Sequence, residues 1–136
     1  MTAGGGSNRT VAGDASAKGI KEVVSVIIDD GNFTINAADD AAQSDNIVTI
    51  ESGTFSLATN DDTVHANTLV TINGGRLNIS KRHKGIESAV MIFNDGNINL
   101  MATNDGFNAT KGNCTEANDG SCPYFNSWLE IQINSR

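Results

Sequence analysis

The stretch DDAAQSDNIVTIESGTFSLATN at residues 39–60 is followed at once by DDTVHANTLVTINGGRLNISKR at residues 61–82, and the two align without a gap. Residues 17–38 align with the same pattern, and residues 83–103 do so with one residue missing between Ser88 and Asn94. A fifth row begins at Asn104 and is then interrupted. A fixed period of this length is typical of a solenoid, in which one unit cannot bury its own core.

Each 22-residue row carries a glycine at the same place and apolar residues two and four positions after it. Residues 54–57 alternate with period two and residues 47–50 are rich in β-branched side chains, so both segments are predicted strands. A hairpin meander would also give two short strands per row. A parallel coil explains the repeat better, because it stacks equivalent residues about 4.8 Å apart. The sequence therefore predicts an all-β, single-stranded parallel β-helix (β-solenoid) of about four 22-residue coils plus a partial, capped fifth.

Three segments follow from the extent of the repeat. Residues 1–16 are expected to be a flexible or partly ordered entry, residues 17–111 the coils, and residues 112–136 an insert with a C-terminal cap strand. Cys114 and Cys122 lie eight positions apart in a polar loop of the insert. We favour an extracellular disulfide between them, with a reduced cytosolic pair as the alternative.

The composition excludes several classes of protein. A net charge of −7 argues against nucleic acid as a partner, and no apolar run is long enough to span a membrane. The start of the chain lacks the apolar region of a secretory signal, so we interpret the chain as a mature or excised segment. Sequons that permit glycosylation, and show no more than that, occur at Asn8, Asn32, Asn78, Asn108 and Asn113.

The row starts carry charge instead of apolar residues. Rows two and three place four carboxylates at one corner of the coil, namely Asp39, Asp40, Asp61 and Asp62, whereas rows one and four have Lys18 and Lys84 there. Carboxylates one rung apart repel each other by about 3 kcal/mol before screening at an effective dielectric near 20. Ca²⁺, which prefers hard oxygen ligands, would relieve this repulsion. The alternative is a set of solvated turns, in which aspartate is also common.

A basic turn, Lys81-Arg82-His83-Lys84, is predicted beside these acids. It either offsets the acidic ladder or, with Arg76, binds an anionic sugar. A third option is β-elimination, in which Ca²⁺ acidifies a sugar proton and a basic side chain removes it. His65, stacked between Gln43 and Glu87, is interpreted as a hydrogen-bonded ladder member. No catalytic motif occurs, and aspartates that recur in a repeat indicate a structural or ion-binding ladder, so no catalytic residue is assigned.

Four motifs in order resemble one known family. They are DDTVHA (61–66), TINGGRLNI (71–79), KGIES (84–88) and NDGFNA (104–109), and the chain is similar to bacterial carbohydrate-binding, polysaccharide-lyase-like β-helix proteins. The resemblance implies a right-handed parallel β-helix, secreted or surface-exposed, that binds Ca²⁺ and acidic or cellulosic polysaccharide. The metal-ligand candidates that it implies are Asp39, Asp40, Asp61, Asp62 and Asp105. Row two departs from the family pattern at residues 41–44, and row four does so at residues 83–84.

Three functions compete on this evidence. The first is an extracellular Ca²⁺-binding module for polysaccharide that is not an enzyme. The second is a structural subunit that assembles end to end into an extracellular filament or sheath, because open β-helix ends are adhesive edges. The third is a polysaccharide lyase.

Overall fold

A computed structural model describes residues 1–11, 16–80, 85–102, 106–109, 123–125 and 130–135. Within these ranges the protein is all-β and contains no helix. The strands are β1 (Thr2–Ala3), β2 (Ile20–Glu22), β3 (Ser25–Ile28), β4 (Asn32–Ala37), β5 (Ala42–Ser44), β6 (Ile47–Ile50), β7 (Thr54–Thr59), β8 (Val64–Ile72), β9 (Arg76–Ser80), β10 (Ile86–Phe93), β11 (Asn97–Ala102), β12 (Phe107–Ala109), β13 (Pro123–Phe125) and β14 (Glu130–Ser135).

The strands form two parallel sheets that run along the stack of coils. One sheet has six strands in the order β1-β4-β7-β9-β11-β14. The other follows the order β12-β10-β8-β5-β2, with β3 and β6 continuing it beside β8 and with β13 beside β10. Each strand pairs with the equivalent strand of the next row, as in Phe33 with Phe55 and Phe55 with Leu77. The predicted β-solenoid of about four turns is therefore confirmed, and the meander is wrong.

The short fourth row is accommodated by one irregularity in the ladder. Ser88 pairs with Ala66, but Val90 pairs with Leu69, so the register shifts by one residue between Ser88 and Val90. The missing residue of the repeat was expected between Ser88 and Asn94, and the structure places it at the start of that interval. A bulge absorbs the difference locally because one strand can bend there while pairing resumes beyond it.

The interior is a narrow stack of aliphatic and aromatic columns. Phe33 and Phe55 stack with ring centroids 5.0 Å apart and planes within 6°, and Phe93 meets Phe107 edge to face at 5.1 Å. Full burial of each such side chain contributes about 1.5–3 kcal/mol. The largest fully buried side chains are Phe55, Phe93, Ile50, Ile72, Leu77, Ile86, Met91, Ile98, Leu100, Val48, Val64 and Val70.

Both ends of the stack carry short strands. β1 pairs with β4 at Asn36 and Ala37, so part of the N-terminal entry adds a strand to the six-stranded sheet. At the other end, β12 and β13 pair with β10, and β14 pairs with β11 along six residues. These strands occupy the positions of a fifth coil. The proposed segment boundaries stay predictions, and Cys114 and Cys122 lie outside the described residues.

No helix among the described residues is long and apolar enough to cross a membrane.

The glycine column closes each coil between the two sheets. Gly31, Gly53, Gly75 and Gly96 all have positive φ, between 95° and 132°, a region that side chains disfavour. Space is limited as well, because a Cβ on Gly53 would lie 2.8 Å from the carbonyl oxygen of Gly31. That same oxygen accepts a 2.8 Å hydrogen bond from the amide of Thr54. Close approach of successive turns thus depends on glycine.

We expect Gly53→Ala to destabilise the fold more than Gly31→Ala. Both variants force a side chain into a positive-φ conformation at a cost of about 1–3 kcal/mol. At Gly31 the added Cβ meets only the ring of Phe33, whereas at Gly53 it meets backbone, which adds about 1 kcal/mol or more. Urea denaturation of the two variants measures the difference. Equal free energies of unfolding would contradict a requirement for close packing of the turns.

Candidate functional site at the aspartate corner

Two aspartate pairs occupy the turns that lead out of the six-stranded sheet. Asp39 and Asp40 follow β4, and Asp61 and Asp62 follow β7, one coil further along. The backbone holds this turn in place because the amide of Gly19 donates to the carbonyl of Asp40 at 3.0 Å. Carboxylate oxygens of Asp39, Asp40 and Asp61 lie within 4.8 Å of one another. The structure therefore brings the four predicted aspartates into one group, which we call the aspartate corner.

The members of each pair differ in their exposure. Asp40 is 2% exposed and Asp62 is 5% exposed, whereas Asp39 is partly buried and Asp61 is exposed. A buried carboxylate is stable only when it is paired or hydrogen-bonded. The corner therefore needs positive charge close to its buried members.

Lys18 supplies one such charge from the preceding coil. Its Nζ donates to Oδ2 of Asp39 and to Oδ2 of Asp40, each at 2.8 Å. Burial lowers the pKa of Lys18 and is the largest single influence, but the bonds to Asp39 and Asp40 outweigh it, so the pKa is raised. Lys18 is therefore charged over the whole physiological range, and it bridges the first aspartate pair.

His65 lies between the buried members of the two pairs. Its Nδ1 is 3.7 Å from Oδ2 of Asp40 and 3.9 Å from Oδ2 of Asp62. Polar contact with Asp40 raises the pKa of His65 despite the opposing effect of burial. Burial in turn raises the pKa of Asp40, but the contacts with His65 and Lys18 outweigh it, and the net pKa of Asp40 is lowered.

His65 was expected to be a ladder member, and its place between Gln43 and Glu87 in register is confirmed. His65 was not among the site residues predicted from the sequence. A signal for its role was present, because His65 follows Asp62 by three residues and stands one coil beyond the row of Asp40. That spacing lets one ring face both carboxylates.

The other predicted site residues that the structure describes lie outside this corner. Arg76 is exposed and pairs in register with Thr54 and Asn97, at the end of the sheet where β7 begins, whereas Asp61 follows the end of β7. Asn8, Asn32 and Asn78 are exposed, while Asn108 is partly buried and donates to Glu87 at 2.5 Å. The remaining candidates lie outside the described residues, and they are Lys81, Arg82, Lys84, Asp105 and Asn113.

The corner contains two sets of possible donor atoms, and the first fits a hard divalent cation better than the second. Asp39, Asp40 and Asp61 offer only carboxylate oxygens, the ligands that Ca²⁺ prefers. Asp40, Asp62 and His65 also lie within 4.8 Å of one another, but this set includes an imidazole nitrogen, which suits a transition metal better. The ammonium of Lys18 is a built-in competitor of any ion at the first set.

A family model described as "Carbohydrate-binding domain-containing protein" matches residues 1–63. The matched segment is just under half of the chain, and it contains β1 to β7, Lys18 and the four aspartates of the corner. Comparison with curated proteins gives no significant match, and neither does comparison with solved structures. The similarity supports polysaccharide binding by this chain.

We expect the stability of the fold to depend on pH through His65. Because the pKa of His65 is raised in the folded state, its contribution to the free energy of unfolding is complete below its ordinary pKa. This contribution is lost as pH rises through the folded pKa. The lowered pKa of Asp40 means that its contribution is lost only in acid, as pH falls through its folded value. Denaturant titrations from about pH 5 to about pH 9 should show the alkaline loss in the wild type.

The matched variant is His65→Gln, because Gln43 occupies the same column one coil earlier. This variant should be less stable than the wild type at the acidic end and should lack the alkaline loss. Parallel pH profiles for the two proteins would contradict a protonated His65 between Asp40 and Asp62.

Proposed function

We propose that this chain is an extracellular, non-catalytic β-solenoid module that binds uronate-containing or cellulosic polysaccharide and holds Ca²⁺ at the aspartate corner. The observation that carries the proposal is the carbohydrate-binding family match over residues 1–63, which covers the corner itself. The description of that family names binding and no reaction. At the corner, the buried Asp40 is already in contact with Lys18 and His65.

Ca²⁺ would act at the corner by adding positive charge to that of Lys18. Among the described residues, four carboxylates and one lysine meet there, and His65 contributes a second positive charge only when it is protonated. An ion bound by Asp39, Asp40 and Asp61 would leave coordination positions open to a sugar carboxylate or hydroxyl. Binding of an acidic polysaccharide would then depend on the ion.

Retention on immobilised polygalacturonate, with Ca²⁺ and with EGTA, tests the proposal together with retention on cellulose. We expect at least one polysaccharide to retain the protein, and we expect EGTA to abolish retention on polygalacturonate. The proposed function would be contradicted if the protein were retained on neither polysaccharide, both with Ca²⁺ and with EGTA. Binding that EGTA does not alter would leave polysaccharide binding intact and remove the role of Ca²⁺.

The variant Lys18→Met tests Ca²⁺ binding separately from sugar binding. Removing the ammonium removes the ion pairs of Lys18 with Asp39 and Asp40 and leaves His65 as the remaining cation near Asp40, so the variant should melt below the wild type in EGTA. It should gain more from Ca²⁺ than the wild type does, since ligand at 100 times its Kd adds about 2.7 kcal/mol. Lys21→Met is the matched control, because Lys21 is exposed and belongs to β2. Melting curves that Ca²⁺ leaves unchanged in both Lys18→Met and the wild type would contradict a Ca²⁺ site here.

One observation favours the second function, self-assembly into a filament. Val23, Val24 and Ile27 are 60%, 65% and 64% exposed at the first coil, and β3 pairs only with β6 among the described strands. An exposed apolar strand at a sheet edge favours addition of another strand.

If the first coil mediates assembly, the wild type should sediment as higher species at raised concentration, and Val24→Lys with Ile27→Lys should return it to a monomer. Charged side chains oppose pairing at an exposed edge. Replacement of the exposed Asn67 by Lys is the control for added charge. A wild type that is monomeric at every concentration would contradict this second function.

A further inference from the structure

The outer face of the six-stranded sheet carries a continuous column of uncharged hydrogen-bonding side chains. The register aligns one such residue from each of five rungs. All five are exposed, and they are Thr34, Ser56, Asn78, Asn99 and Gln132. Their neighbours in sequence point inward to the core, as Phe55 and Leu77 do, and this anchors the strands that present them.

The columns on either side are also nearly free of charge. One contains Asn32, Thr54, Arg76 and Asn97 and continues to Glu130 of β14, and the other contains Asn36, Ala58 and Ser80. Within β4, β7, β9 and β11, Arg76 is the one charged residue. None of these four strands contains an acidic residue, whereas Asp30, Asp61 and Asp95 lie at turns between strands. Solvation alone gives no reason to exclude charge from an exposed sheet.

The chemistry of the face suits a sugar with free hydroxyl groups. A side-chain amide offers two donors and an acceptor, and a side-chain hydroxyl offers one donor and two acceptors. Successive strands place these groups about 4.7–4.9 Å apart. A repeating set of donors and acceptors fits a repeating ligand better than a single small molecule. An acidic polymer would need a row of cations, and Arg76 alone does not form one.

We propose that the outer face of the six-stranded sheet, comprising β4, β7, β9 and β11, binds a neutral polysaccharide whose chain runs along the stack of coils. The proposal rests on the polysaccharide binding proposed above, and it names both the surface and the class of sugar. The family match to residues 1–63 includes β4 and β7, the first two full rungs of this face. The aspartate corner lies beyond the ends of these strands, so the two surfaces are separable by mutation.

Binding at such a face is distributed over several rungs. No aromatic side chain belongs to the described columns, so the surface lacks the stacking contact that would fix a single sugar ring. Each hydrogen bond contributes modestly on its own. Affinity should therefore rise with the number of sugar units until the ligand spans the face.

The test compares two double variants of the whole chain. Asn78→Ala with Asn99→Ala removes two central amides from the face, and Asn60→Ala with Asn67→Ala removes two exposed amides outside it. The probes are a soluble β-1,4-glucan oligomer of about six units, its disaccharide, and polygalacturonate, each titrated calorimetrically. Because Asn32 and Asn78 are sequons on this face, the protein is made in a bacterial periplasm, where both stay unmodified.

We expect the face variant to bind the neutral oligomer about tenfold more weakly than the wild type, and the control variant to bind it unchanged. Binding of polygalacturonate should be the same in all three proteins, and the disaccharide should bind more weakly than the oligomer. Equal melting temperatures establish that the variants are folded. If they differ, Asn78→Gln with Asn99→Gln, which keeps both amides, should restore the fold and the binding.

Two results would overturn the inference. One is a face variant that binds the neutral oligomer as the wild type does. The other is a wild type that binds polygalacturonate alone, in which case polysaccharide binding stands and the neutral face does not. A wild type that binds none of the probes would overturn the proposed function together with this inference.

Discussion

Parallel pairing of each coil with the next, at a fixed offset in sequence, is the constraint on which this structure depends. Each inner strand makes backbone hydrogen bonds on both sides, as β7 does with β4 and β9. The pairing also stacks like side chains on like, so the core is a set of columns such as Phe33, Phe55 and Leu77. The glycine column keeps the turns close enough for this pairing to continue.

The same constraint creates the electrostatic problem at the aspartate corner. A register that stacks apolar residues equally stacks Asp39 and Asp40 beside Asp61 and Asp62, where their charges repel. Positive charge near these carboxylates comes from Lys18, in the coil before Asp40, and from protonated His65, in the same row as Asp62. A cation bound by Asp39 and Asp40 would have to share these carboxylates with Lys18.

Most of the fold was predictable, because in a solenoid the sequence period is also the spatial period. The four coils, the strands on each side of the glycine and the missing residue near Ser88 all followed from alignment of the rows. The fifth coil was predicted only in part. Its later strands lie within residues 112–136, where the period is interrupted, so the alternation at residues 129–133 predicted a strand but not its pairing with β11.

The site was predictable as a group of residues and not as a set of contacts. The row starts placed the four aspartates together, and they placed Lys18 within reach. Which carboxylate is buried depends on the direction of each side chain at a turn. Alignment of the sequence rows does not give that direction. The bridge from Lys18 to Asp39 and Asp40 and the position of His65 therefore came from the structure. The uncharged face was not predicted, because exposed Thr, Ser, Asn and Gln are common on any strand and carry no signal of binding in the sequence.

The fixed parallel register is tested most directly by distances along one exposed column. Nitroxide labels at Thr34 and Gln132, which stand four rungs apart, should give a backbone separation of about 19 Å by pulsed electron paramagnetic resonance, and labels at Thr34 and Asn99 about 14 Å. We predict that the distance between labels grows by the same amount for each rung, including the rung of Gln132. Separations that do not grow by one strand spacing per row would contradict the solenoid and, with it, the assignment of both surfaces.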